Sequence, residues 1–92
     1  MQTTVVTVIH SVGLHARPAS LFVNLAKSHQ SSVHIRNLTA NGDWSNAKSI
    51  LGVLTLGVEK DHQIEIKTEG PDEEQAIRAL ENLVTTNFGG EV

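Results

Sequence analysis

Gly13-Leu14-His15-Ala16-Arg17-Pro18-Ala19-Ser20 takes the chain out of a β-branched run and into a helix, and the fold is read outward from it. Upstream, Thr3-Thr4-Val5-Val6-Thr7-Val8-Ile9 is too short for a helix and rich in side chains that suit a pleated surface, so residues 3–9 are predicted as a first strand. His10 and Ser11 leave it, and Gly13 permits a sharp or positive-φ turn. Downstream, Ala19, Phe22, Val23 and Ala26 recur at helical spacing and predict a helix over about 16–28, stopped by Ser28-His29-Gln30-Ser31-Ser32. Pro18 fits its first turn, where the missing N–H has no intrahelical partner and the fixed φ suits helix entry. His15 therefore falls near the N-cap.

A helix start gathers unpaired N–H groups at the positive end of the peptide dipoles, which attracts anions. It also favours an uncharged imidazole, whose lone pair is free to attack phosphorus, and histidine, with an ordinary pKa of about 6.5, is usable in this way near neutrality. Arg17 supplies a planar fork of donors for phosphoryl oxygens. His15 and Arg17 together suit acceptance and release of a phosphoryl group. The residues taken alone are only suggestive, and also fit a partly exposed histidine that caps a helix beside a solvated arginine.

The rest of the chain supplies a sheet and two more helices. Val33 and Ile35 alternate in a second strand over about 32–38, where Asn37 interrupts the apolar pattern. Asn41-Gly42 signals a hairpin and a third strand over about 44–47, with Trp44 as a packing residue that covers it. Between residues 49 and 56 the apolar side chains Ile50, Leu51, Val53, Leu54 and Leu56 are too dense for a short helix to hide against a small sheet, so part of them forms an exposed patch. Ser49 stands where that helix begins and caps it. After the turn Gly57 to His62, Gln63-Ile64-Glu65-Ile66-Lys67 alternates strictly, marking a fourth strand with Ile64 and Ile66 inward. Gly70-Pro71-Asp72 ends that strand, with Asp72 as N-cap and Gln75 completing a capping box. Glu73 and Glu74 suit the positive end of the helix that follows. Ala76, Ile77, Leu80, Leu83 and Val84 form its buried face, and Gly89-Gly90 closes it ahead of a frayed tail.

Two runs resemble HPr, the histidine-containing phosphocarrier family of the bacterial sugar phosphotransferase system. Gly13 to Ser20 is similar to that family's active-site motif, and Asn46-Ala47-Lys48-Ser49-Ile50-Leu51-Gly52-Val53-Leu54-Thr55-Leu56-Gly57 to its second motif, at the expected separation. The resemblance implies that His15 takes phosphate on Nδ1 from enzyme I and passes it to an enzyme IIA domain, with Arg17 stabilising the phosphate. It implies docking of partners on Ile50, Leu51 and Leu54, with Ala16, Ser20 and Lys48 completing the contact surface. It further implies a possible regulatory site at Ser49, phosphorylated by HPr kinase/phosphorylase, through which the protein acts as an adapter for a transcriptional regulator. Such a carrier is a stoichiometric reactant rather than an enzyme, needs no cofactor, and is expected as a monomer. Where HPr usually has a small polar residue this chain has Val12, a departure that puts a side-chain contact to the phosphohistidine in question and leaves backbone N–H groups available to compensate.

The element order predicts an α+β open-faced sandwich, an antiparallel four-stranded sheet covered on one face by two long helices and one short one. Connections of this length also allow a ferredoxin-like strand order; the order 1-4-2-3 is what the resemblance implies. Ninety-two residues are expected to form one domain, 1–92, either alone or as a piece of a multidomain phosphotransfer protein. With no run of about 18 apolar residues and no basic-then-apolar leader, a cytoplasmic location is expected, away from the membrane. A net charge of −3 and the lack of a basic stripe argue against nucleic acid. Cysteine is absent, and His10, His29, His34 and His62 pair at no ligand spacing, so no metal site is expected. Residues 1–42 carry Arg17, Lys27 and Arg36 and no acid, giving +3, against −6 for the remainder. Either His15 lies in acid-free surroundings that attract anions, or folding brings acids to it from the second half.

Overall fold

The computed structural model describes residues 1–90. Its strands are β1 (Gln2–Thr7), β2 (Ser32–Asn37), β3 (Ser45–Asn46) and β4 (Gln63–Glu69), and its helices α1 (Ala16–Lys27), α2 (Ile50–Leu54) and α3 (Glu73–Thr85), followed by a short left-handed turn at Asn87–Gly90. The sheet order is β1-β4-β2-β3 with every pairing antiparallel, which removes the ferredoxin-like alternative.

Strand alternation explains the layering. Val6 and Val8 from the first strand and its extension, Val33 and Ile35 from β2, and Ile64 and Ile66 from β4 all point to one buried face. Phe22, Val23 and Ala26 of α1 and Ile77, Leu80 and Val84 of α3 close over it. Burial of an Ile, Leu or Phe side chain stabilises by about 1.5–3 kcal/mol, so this single layer of contacts dominates the fold. The other face carries the cross-strand pair Arg36 Nε to Glu65 Oε1 at 2.7 Å, with Trp44 stacked under Lys67 (4.3 Å) and Arg36 (5.4 Å). Trp44 thus packs on the outer face of the sheet, among cations.

Several expectations needed correction. The first strand is shorter than 3–9, although Val8 continues the pairing beyond it, accepting from Asp61 N and donating to His62 O. Asn37 does not break the β2 pattern: it is buried on the same face as Val33 and Ile35. Its amide nitrogen donates to Leu56 O (3.2 Å), Gly57 O (3.4 Å) and His62 Nδ1 (3.2 Å), and its oxygen accepts from Ala40 N (3.1 Å). A polar side chain satisfied this fully behaves as core. The third strand contracts to two residues, and in the turn before it Asn41 rather than Gly42 takes the left-handed conformation (φ 53°).

At the start of α3 the capping box is absent. Asp72 holds the N-cap position, but its carboxylate turns away to accept from Ser31 Oγ, Ser31 N (2.8 Å) and Gln30 N (3.0 Å). Gly70 N donates instead to Glu73 Oε1 at 3.1 Å, and Gly70 itself packs so tightly on Ser31 that a Cβ would lie 2.7 Å from it. At the other end, α3 stops at Thr85 before the glycines; Asn87 and Phe88 take left-handed φ values of 54° and 56°, folding Phe88 into the core edge-on to His10. The frayed tail expected beyond Gly90 lies outside the described residues.

The Ser31 hydroxyl, with the two backbone N–H groups, pulls the Asp72 carboxyl down to about 2, from an ordinary aspartate value of about 4. A depressed carboxyl contributes stability that is present above its unfolded value and is lost as pH falls through its folded value. Asp72→Asn is therefore expected to be less stable than the parent at pH 7 in urea unfolding, with the difference shrinking between about pH 4 and pH 2.

Candidate functional site

The turn before α1 is built on a close backbone approach. Gly13, at φ 70°, lies so near the loop between α2 and β4 that a Cβ would stand 2.2 Å from Val58 O and 2.8 Å from the Glu59 Cα. Leu14 N donates to Val58 O at 3.0 Å, and the Leu14 and Val58 side chains are both fully buried. Gly13 N closes the turn on His10 O (3.0 Å), while Val12 N donates to His10 Nδ1 (3.2 Å). Val12 projects outward as an exposed apolar side chain.

Anchored this way, His15 emerges at the N-cap of α1 in extended conformation (φ −129°, ψ 167°), with a side chain 37% exposed. Its side chain makes no capping bond, so the reading of His15 as a mere cap fails. Ala16 follows at φ 50°, a left-handed conformation that costs a residue with a Cβ roughly 1–2 kcal/mol. The backbone N–H groups of Ala16 and Arg17 enter the first turn, Pro18 contributes none, and the Arg17 side chain is exposed on the same turn. Ser20 is exposed one turn further on.

Of the two alternatives for the surroundings of His15, the second holds: folding brings an acid to it from the second half of the chain. Glu59 reaches His15 from 44 residues away, its Oε2 2.9 Å from the ring Nε2. Glu59 N in turn donates to His62 Nδ1 (3.1 Å), the ring nitrogen that also receives Asn37. Sequence reading missed Glu59, because only the Gly13 approach and the Leu14–Val58 bond place the two loops together. Gly13 was the one available signal.

Helix α2 packs against α1 and gives the second half of the site. Ser49 Oγ accepts from Gly52 N at 3.1 Å, the cap expected of it. Val53 is fully buried and Leu56 packs against the core, while Leu51 (69% exposed), Ile50 and Leu54 form the outward apolar patch. Lys48 belongs to the scaffold more than to that patch, since its Nζ donates to His29 O at 2.8 Å and ties the start of α2 to the end of α1.

A family model described as the PTS HPr component phosphorylation site matches residues 2–86, which takes in the His15 turn, α1 and α2. The chain belongs to the HPr family. The multiphosphoryl transfer protein of Vibrio cholerae is 41% identical over 80 residues, which are 87% of this chain and 20% of that protein. This HPr chain thus spans about a fifth of the length of the curated relatives it matches. Among solved structures, HPr-C-His from Thermoanaerobacter tengcongensis is 38% identical with a TM-score of 0.93, each chain covering 100% of the other. The phosphocarrier protein HPr from Bacillus anthracis is also 38% identical, with a TM-score of 0.83 over 90% of this chain and 95% of that one. Among the described residues of this HPr chain, no helix is long and apolar enough to cross a membrane.

The close approach at Gly13 has a direct consequence. Gly13→Ala is expected to lose at least about 1–3 kcal/mol in chemical denaturation, because alanine must both adopt a left-handed φ and push Val58 away.

Proposed function

We propose that His15 carries a phosphoryl group on Nδ1 between proteins of the phosphotransferase system, taking it from phospho-enzyme I and giving it to an enzyme IIA domain. The observation that carries this reading is the placement of His15: a half-exposed ring, not used as a cap, at the positive end of a twelve-residue helix in an HPr-family chain. A tetrahedral phosphoryl there meets the first-turn N–H groups and the Arg17 guanidinium. With Val12 apolar and turned outward, the backbone N–H groups take the place of a side-chain hydroxyl.

Ile50, Leu51 and Leu54 on the neighbouring helix suit successive partner proteins, with Ala16 and Ser20 at the rim. The protein in this reading is a cytoplasmic reactant with no substrate pocket of its own. Residues 1–92 act as one carrier domain, whether alone or inside a longer phosphotransfer protein. A second role is favoured by Ser49, which caps α2 beside that patch. A phosphate on its hydroxyl places added negative charge next to the docking side chains and weakens docking there. HPr kinase with ATP is expected to leave an acid-stable phosphate on Ser49, and a lack of it removes the adapter role.

Enzyme I with phosphoenolpyruvate is expected to label the protein through an acid-labile, base-stable bond that His15→Ala abolishes; a label that survives in His15→Ala overturns the assignment. Arg17→Ala is expected to keep the labelling stoichiometry and slow transfer by about tenfold to a hundredfold, the worth of a charge-assisted hydrogen bond in the transition state. Leu51→Glu is expected to raise the KM for the protein as a substrate of its partners, with circular dichroism unchanged.

A further inference from the structure

Glu59 is an acid that folding brings to the phosphoryl-accepting ring, and its contact defines the chemistry of that ring more closely than the carrier reading requires. Resting on that reading, we propose that Glu59 is a positioning residue: it holds His15 as the Nε2–H tautomer and faces the positive charge the ring acquires when phosphorus is bound.

An ionised carboxylate has only acceptor sites, so the 2.9 Å contact between Glu59 Oε2 and His15 Nε2 places a hydrogen on Nε2. A neutral imidazole carries one N–H, which leaves the lone pair on Nδ1. The nitrogen that attacks is thereby selected before any partner arrives. In the transfer, that lone pair forms the N–P bond while the bond from phosphorus to the donor, a phosphohistidine nitrogen of the delivering protein, breaks with its electron pair left on the donor. No proton leaves His15. The ring keeps its Nε2–H, becomes a cation, and has the Glu59 carboxylate against it on the side away from the phosphoryl oxygens. Onward transfer reverses these changes, since departure of phosphorus returns the pair to Nδ1 and restores the neutral ring. The carboxylate therefore stabilises the phosphorylated ring relative to the neutral one, which favours acceptance and holds back departure.

The backbone around Glu59 fits this role. Glu59 N is held by His62 Nδ1, the adjoining Val58 carbonyl is held by Leu14 N, and His62 is in turn fixed by the buried Asn37. The carboxylate is presented from a fixed frame, while its side chain is 65% exposed and can be replaced without opening the core.

The test uses the intact protein with its ring nitrogens enriched in nitrogen-15, observed by NMR at a pH above the titration of the imidazole, together with phosphoryl transfer rates from phospho-enzyme I and back to it. The parent is expected to hold His15 mainly as the Nε2–H tautomer. In Glu59→Ala the ratio of Nε2–H to Nδ1–H is expected to fall about twofold to fivefold, the range for an exposed ionic contact, with transfer from phospho-enzyme I slowed by a similar factor and the return transfer not slowed. Glu59→Gln keeps a carbonyl acceptor without the charge, so it is expected to retain more of the parent ratio than Glu59→Ala while slowing transfer from phospho-enzyme I as much. An unchanged ratio in Glu59→Ala, or parental transfer rates in both variants, overturns the proposal. Lack of labelling in the parent fails the carrier reading and the transfer half of this proposal with it; a labelled parent with an unchanged ratio fails the role of Glu59 alone.

Discussion

The contact between the Gly13–Leu14 backbone and the Val58–Glu59 backbone is the constraint on which the arrangement depends. It is a place where no Cβ fits, with a 3.0 Å hydrogen bond beside it and two fully buried side chains, Leu14 and Val58, beneath it. Through it the turn that carries His15 is tied to the loop that enters β4, one of the two inner strands of the sheet. The polar interior extends the same tie: Asn37 in the core links β2 to the end of α2 and to His62, and His62 receives Glu59 N. A rigid frame thus reaches the reactive ring from behind, while its front stays open.

This division explains how an exposed site can be exact in geometry without a pocket. A carrier must present its reactive atom to several partners, so enclosure would defeat it, and order must come from below. Here order comes from the backbone of two loops, from the start of a helix, and from a non-glycine residue, Ala16, held at positive φ directly after the histidine. Val53 and Leu56 are enough to seat the short helix α2 on the core, which leaves Ile50, Leu51 and Leu54 exposed.

Much of this was legible in the residues, and what was not has definite causes. Strict alternation in β4 and helical spacing in α1 and α3 marked the elements, because a one-sided sheet under helices imposes those periods. The first and third strands were overdrawn, since strand ends depend on what pairs with them. Asn37 misled because a buried amide is recognisable only when its partners, at Ala40, at Leu56–Gly57 and at His62, are known. Asp72 misled for a related reason: the local pattern promised a cap, but the donors of Gln30 and Ser31, brought in by the tertiary fold, competed better for its carboxylate. His15, Arg17 and Ser49 could be named from motifs that are contiguous in sequence. Glu59 could not, because charge counted along the chain says nothing of which acids folding brings back.

The central claim is that the start of α1, held in place by the loop beneath it, is what receives the phosphoryl group. The most direct measurement compares backbone amide spectra before and after phosphorylation of His15. The account predicts that the largest changes fall on the amides of Ala16 and Arg17, with downfield proton shifts that report new hydrogen bonds to phosphate oxygens, and with β1, β2 and β4 unmoved. A phosphorylated His15 that leaves those amides at their original positions would contradict it.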